Sequence, residues 1–121
     1  MSFRAVVIGA PDAHELGEFY HRLLGWDVAD DAEPGWYCLQ SPAGDGLSFQ
    51  TEPDHVPPVW PPEPGHQQMM MHLDLLVTDL DAACAHAEAC GARRAEHQPT
   101  SDLRVYLDPA GHPFCLFLPG A

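Results

Sequence analysis

Residues Ser41–Gln50 read SPAGDGLSFQ, and residues Asp108–Phe117 read DPAGHPFCLF. Each runs Pro-Ala-Gly, two further residues and then a strand-like stretch, and the two lie 67 positions apart in a chain of 121. A turn used twice by chance leaves its surroundings unrelated, whereas a duplicated module carries the same spacing outward on both sides.

The spacing does carry outward. Asp12 starts an apolar stripe of helical period, Leu16, Phe19, Tyr20, Leu23 and Leu24, with Glu15 three residues after the cap and Gly25 as the stop. At the same offset of 67 stands Asp79, opening a weaker stripe of Leu80, Ala83, Cys84 and Ala87 that Gly91 stops. Strand-like segments flank both helices. They are 4–8, 26–30, 36–40 and 47–51 in the first half, and 70–77, 92–97, 103–108 and 114–118 in the second. Each half is therefore read as βαβββ, and the chain as α+β. One helix cannot cover a whole sheet, so the two modules are expected to pair into one curved mixed sheet with the helices on its convex side. The expected organisation is a single domain, 1–121, with module one at 1–52, a Pro-rich linker at 53–68 and module two at 69–121.

Between the halves, Glu52–Gln68 holds six prolines in 17 residues, which forbids a helix and favours an extended path. A plain linker needs no Val56, Val59 or Trp60, so these are expected to pack on the core edge, a partner subunit or a ligand.

Strand alternation separates two faces. Val6, Ile8, Leu47, Phe49, Leu73, Leu75, Phe114, Leu116 and Leu118 are large and apolar and are assigned to the helices. The opposite face collects Ala5, Val7, Gly9, Ser48, Gln50, Met70, His72, Asp74, Cys115 and Phe117, a mixed lining suited to a small-molecule pocket.

The balance of 18 Asp and Glu against 5 Arg and no Lys, a formal charge of −13, argues against nucleic acid or an anionic membrane as partner. It mildly favours neutral or cationic ligands. No apolar run approaches the ~18 residues of a membrane span, and MSFRAVVIGAPD lacks a signal-peptide pattern, so the expected location is cytoplasmic. Cys38, Cys84, Cys90 and Cys115 show no zinc-type spacing and are read as free thiols.

With its PAG turn before the last strand of each half, and HLDLLVTDLDAA (72–83) opening the second, the chain resembles the vicinal oxygen chelate superfamily, of glyoxalase, bleomycin resistance and extradiol dioxygenase type. The closest resemblance is to its glyoxalase-like domain branch. The resemblance covers essentially the whole chain and implies a sheet curved around a cavity, with pairing into a homodimer. In metal-dependent members, His, Glu or Gln ligands come from the opening strand of each module and from the strand after each PAG-like turn. The corresponding positions here are Ala5, Ser48, His72 and Cys115. Only His72 matches, so no metal and no other cofactor is expected, unless a shift of register by two brings in Gln50 or Asp74. A mixture of one His and one Cys suits zinc at best.

His72 and Asp74 fall two residues apart on one face, roughly 7 Å at the backbone level, within reach of a direct or water-bridged hydrogen bond. That pair reads as structural or ligand-orienting, with His72 as acid/base the catalytic alternative. His14, His21 and His86 are read as surface residues. Three functions stay open. One is a metal-free protein binding a small organic molecule through Ser48, Gln50, Trp60, Met70, His72, Asp74, Cys115 and Phe117. Another is a lyase, isomerase or dioxygenase of the family's type. The last is a structural module with a vestigial pocket.

Overall fold

The structure, a computed structural model, describes residues 1–120. Its elements are β1 (Ala5–Ala10), α1 (Ala13–Leu24), β2 (Asp27–Asp30), β3 (Trp36–Gln40), β4 (Gly46–Thr51), β5 (Leu73–Leu76), α2 (Leu80–Cys90), β6 (Arg93–Arg94), β7 (Leu103–Leu107) and β8 (Pro113–Phe117). They form two βαβββ modules, each with its own four-stranded mixed sheet, in the orders β1-β4-β3-β2 and β5-β8-β7-β6.

The duplication holds at the level of individual backbone pairs. In module one Val6 pairs with Leu47 and Ile8 with Phe49, in parallel. In module two Leu73 pairs with Phe114 and Leu75 with Leu116, each residue 67 further on. The antiparallel pair Leu39 with Leu47 recurs as Tyr106 with Phe114.

Both PAG turns close in the same way. Gly44 N–H donates to Ser41 C=O at 2.9 Å and Ser41 N–H to Asp45 C=O at 2.8 Å; Gly111 donates to Asp108 at 2.9 Å and Asp108 to His112 at 3.0 Å. Gly44 and Gly111 sit at φ 95° and 88°, a left-handed conformation that glycine adopts without strain. Side chains complete the turns differently. Ser41 Oγ accepts from Asp45 N–H at 2.9 Å, whereas Asp108 Oδ1 accepts from both Ala110 N–H (2.9 Å) and His112 N–H (3.0 Å).

The helices begin and end where the sequence places them. Asp12 accepts from the backbone N–H groups of His14 and Glu15, Asp79 accepts from that of Ala82, and Gly25 and Gly91 close both ends in the left-handed region. The core of module one sets Leu16, Phe19 and Tyr20 of α1 against Tyr37, Leu39, Leu47 and Phe49, all buried. Module two buries Cys84 and Ala87 of α2 with Val105, Tyr106, Phe114 and Leu116. Of the residues assigned to the helix-facing side, Val6, Ile8, Leu73 and Leu75 are only half-buried.

Two strands are shorter than their sequence suggests, for nameable reasons. The segment 70–77 pairs only over Leu73–Leu76. Where Ala5 faces Gly46 in module one, the equivalent of Gly46 is Pro113, which brings no N–H, so His72 lies ahead of the strand. The segment 92–97 forms a strand only at Arg93 and Arg94; after one more backbone bond, Ala95 N–H to Val105 C=O at 3.1 Å, the Gln98 side chain replaces the ladder. Its amide donates to Ala95 C=O (2.8 Å) and Val105 C=O (2.9 Å) and accepts from Val105 N–H (2.8 Å).

Two compact units, Met1–His55 and the remainder from Val56 onward, divide the chain within the expected linker. From Val56 onward the proline-rich segment belongs to the second unit. Trp60 Nε1 donates to His97 C=O at 3.2 Å with the two rings 6.0 Å apart, and Val59 N–H donates to Gln67 C=O at 3.0 Å. Val56 does not pack as expected; it is 60% exposed. His14 and His21 are half-buried and not simply surface residues. His14 Nε2 donates to Glu33 C=O at 2.7 Å and His21 Nδ1 to Trp26 C=O at 2.6 Å, each tying α1 to a following loop.

Candidate functional site

Each module leaves one sheet face uncovered by its helix, and each face has its own chemistry. In module one, cross-strand pairs place Cys38 and Val7 beside Ser48, Trp36 and Gly9 beside Gln50, and Gln40 and Ala5 beside Gly46. On this face lies a cleft of about 610 Å³. The N-terminal Ser2, Phe3 and Arg4, Ala29 and Asp30 at the β2 irregularity, and Trp36, Cys38, Gln40 and Ser48 line it. Ser48 is 5% exposed and forms part of its floor, while Trp36 and Phe3 supply apolar walls. The β3 residues are absent from the sequence-derived lining, although alternation along Trp36–Gln40 places Trp36, Cys38 and Gln40 on one face.

In module two, three donors converge. His72 Nδ1 stands 3.0 Å from Asp74 Oδ1. Asp74 pairs directly with Cys115 across the parallel ladder. One ligating atom from each of His72, Asp74 and Cys115 falls within 4.8 Å of the other two. The contact between His72 and Asp74 is closer than two positions on one strand suggest, because His72 precedes β5 and its ring is free to fold back. Burial pushes the Cys115 thiol up to about 11, helped by the negative charge of Asp74 and by a hydrogen bond to it. The thiol is thus held protonated at neutral pH and is not an activated nucleophile.

Gln50 is exposed and donates to Glu52 on its own strand end. Met70 is 81% exposed in the coil before β5. Phe117 is half-buried at the end of β8, paired with Leu76 and Leu103. Trp60 is held against His97.

A family profile described as "Glyoxalase-like domain" matches residues 5–117. The chain belongs to the glyoxalase-like domain family. With it comes membership of the vicinal oxygen chelate superfamily, and solved structures agree on the fold. A glyoxalase/dioxygenase from Nostoc punctiforme is similar at TM-score 0.71 and 19% identity, covering 97% of this chain and 90% of that one. A glyoxalase/bleomycin resistance protein/dioxygenase family enzyme from Burkholderia phytofirmans matches at 0.70 and 18%, covering 95% and 96%. TnmS3, an antibiotic binding protein from a Streptomyces, matches at 0.59 and 21%, covering 99% and 98%. Among curated proteins none matches.

The superfamily's divalent metal can be tested against the residues of this glyoxalase-like domain. Module one offers Ala5, which has no donor atom, and Ser48, a hydroxyl. Module two offers His72 and Cys115. A hard ion that requires several oxygen or imidazole donors does not fit this set of corners.

Proposed function

We propose that this glyoxalase-like domain binds a small organic molecule on the open face of its first sheet, without the superfamily's divalent metal. The observation that carries the reading is the cleft of about 610 Å³, with Trp36 and Phe3 as apolar walls and Ser48, Gln40 and Asp30 as polar groups. A volume in the range of ~300–1,000 Å³ suits a small molecule, and with Ser2 and Arg4 added to those polar groups the lining is mixed in polarity. The likeness in fold to an antibiotic binding protein supports the same reading. With a formal charge of −13, the chain attracts neutral or cationic ligands over anions.

The binding protein is further proposed to be a cytoplasmic homodimer. Four free cysteines suit a reducing compartment. Phe3, Met70, Met71 and Leu76, each more than 60% exposed, supply apolar surface for a second copy. Among the described residues no helix is long and apolar enough to cross a membrane.

Thermal-shift screening of aromatic and amphipathic compounds tests the reading. A ligand at ~100 times its dissociation constant stabilises by about 2.7 kcal/mol, a readily measured rise in Tm. Hits should lose their shift in Trp36→Ala and keep it in Trp60→Ala. A broad library without a hit, or hits indifferent to Trp36, overturns it. Sedimentation of the purified protein decides the dimer.

A further inference from the structure

On the open face of the first sheet, one row of the ladder sets a thiol beside a hydroxyl. Cys38 of β3 and Ser48 of β4 are direct cross-strand partners, and both line the cleft of about 610 Å³. We propose that Cys38 captures α,β-unsaturated carbonyl compounds in this cleft as thioethers, with the Ser48 hydroxyl holding the carbonyl oxygen. This chemistry rests on the cleft being the ligand site, as given above, and names the class of ligand it takes.

Ser48 points to a ligand independently of the cysteine. It is 5% exposed, and among the described residues its hydroxyl has no hydrogen-bond partner. No sealed-off side-chain nitrogen or oxygen among those residues is left unpaired, so this hydroxyl opens on the cleft it lines. A nearly buried hydroxyl without a protein partner takes its partner from the cleft, and a carbonyl oxygen is a fitting acceptor for its O–H.

Spacing then selects the electrophile. Direct partners on one face of an antiparallel pair hold their Cβ atoms ~4.5–5.5 Å apart. A conjugated O=C–C=C unit carries its oxygen and its electrophilic carbon three bonds apart, so it spans such a pair, oxygen toward Ser48 and far carbon toward Cys38. The group beyond that carbon meets Trp36, two residues away along β3 on the same face. In the step, the S–H bond breaks and an S–C bond forms at the far carbon. The C=C electron pair moves onto the oxygen as an enolate, which the Ser48 O–H stabilises. The thiol proton passes to solvent and the α-carbon takes a proton from solvent. S–H is thereby added across C=C, with no oxidant or reductant.

The chain supplies its own comparators. Cys84 is buried, and burial with the charge of Asp74 pushes the Cys115 thiol up to about 11. Cys90 on α2 is half-buried like Cys38 but lies outside the cleft. The chain has no lysine, so an unsaturated aldehyde meets no side-chain primary amine. Reaction at Cys38 over Cys90 therefore measures the cleft and not exposure.

Reduced protein incubated with cinnamaldehyde, then digested and read by peptide mass spectrometry, gives the decisive rates. Capture at Cys38 is expected to level off with probe concentration and to outpace Cys90 about tenfold or more. Ser48→Ala is expected to slow it about tenfold, while leaving unchanged the reaction of Cys38 with iodomethane, which has no oxygen to hold. Cys90→Ser is expected to leave capture at Cys38 unchanged, and circular dichroism checks the fold of each variant. Equal rates at Cys38 and Cys90, a rate that never levels off, or a Ser48→Ala rate equal to the wild type overturns the proposal. If compounds without a C=C bond give thermal shifts that depend on Trp36 but cinnamaldehyde leaves no adduct on Cys38, covalent capture alone falls. If neither appears, the binding reading falls with it.

Discussion

The ring of Tyr37 occupies the space that a side chain at Gly17 would need. A β-carbon built on Gly17 lies 2.5 Å from Tyr37 Cγ and 2.8 Å from Cε1, closer than real contacts allow. Tyr37 is itself 3% exposed, with His14 edge-on at 5.2 Å and Phe49 at 6.4 Å between ring centroids, so the ring cannot step aside freely. α1 sits on β3 at a distance set by the absence of a side chain.

Gly17→Ala is therefore expected to destabilise, although alanine is the better helix former by ~1 kcal/mol. Overpacking of this kind costs about 1–3 kcal/mol, leaving a net loss of up to about 2 kcal/mol in urea denaturation. In a Tyr37→Val background the same change should be neutral or stabilising, because the pair is coupled through one volume. Stabilisation by Gly17→Ala in the wild type would show that the ring moves at little cost.

The two PAG turns differ in what they lose on truncation. Asp108 is 5% exposed and its carboxylate serves two backbone N–H groups, so Asp108→Ala should cost about 2–3 kcal/mol. Ser41 Oγ serves one, and Ser41→Ala should cost about 1 kcal/mol. Asp108→Asn, which keeps an acceptor oxygen, should recover most of the loss. Equal losses at the two positions would contradict the assigned bonds.

Cys115 should alkylate slowly. With its thiol pushed up to about 11, roughly one molecule in a thousand is thiolate at pH 8. The rate with iodoacetamide, followed by peptide mass spectrometry, should climb until pH is near 11. Asp74→Asn removes the charge that opposes ionisation and should speed the reaction at pH 8, with the effect of burial remaining. A rate at pH 8 equal to that of a small-molecule thiol would rule out this environment.

Tyrosine ionisation should accompany alkaline unfolding. Tyr106 is fully buried; it donates to Glu88 at 3.1 Å and accepts from Arg94 Nε at 3.0 Å. Burial is the largest cause raising its phenol, and burial followed by the charges of Glu18 and Asp31 raises that of Tyr37. A phenol raised in the folded state contributes its full stability below the unfolded value near 10. That contribution is lost as pH rises through the folded value. Tyrosinate absorbance should therefore rise together with loss of circular dichroism, and Tyr106→Phe should shift that transition to higher pH. A tyrosinate signal that appears with the fold intact would refute this.

Features carried by local sequence were legible. Asp12 with Gly25 and Asp79 with Gly91 bound the two helices as read, because caps act within one turn of backbone. The turns were legible for the same reason. What failed depended on a partner distant in sequence. β5 starts late because of Pro113, and β6 ends early because the Gln98 side chain bonds to Val105 on the neighbouring strand. Val56 is as apolar as Val59, and nothing in the linker sequence tells which of them points outward. The His72–Asp74 pair was legible, but its 3.0 Å contact follows from where the ladder stops. Trp36 and Cys38 could have been found, since β3 was read with its observed ends and only its face was left unassigned.

The backbone pairs that recur at an offset of 67 give the molecule a built-in blank. Ala5, Val7 and Ser48 hold in the first module the places of His72, Asp74 and Cys115 in the second, and Val7 faces Ser48 across β1 and β4 as Asp74 faces Cys115. The same scaffold thus exists within one chain with and without its reactive groups. Grafting Ala5→His, Val7→Asp and Ser48→Cys onto the first module would ask whether three side chains suffice to carry a chemistry, with temperature, solvent and folding history shared by donor and recipient.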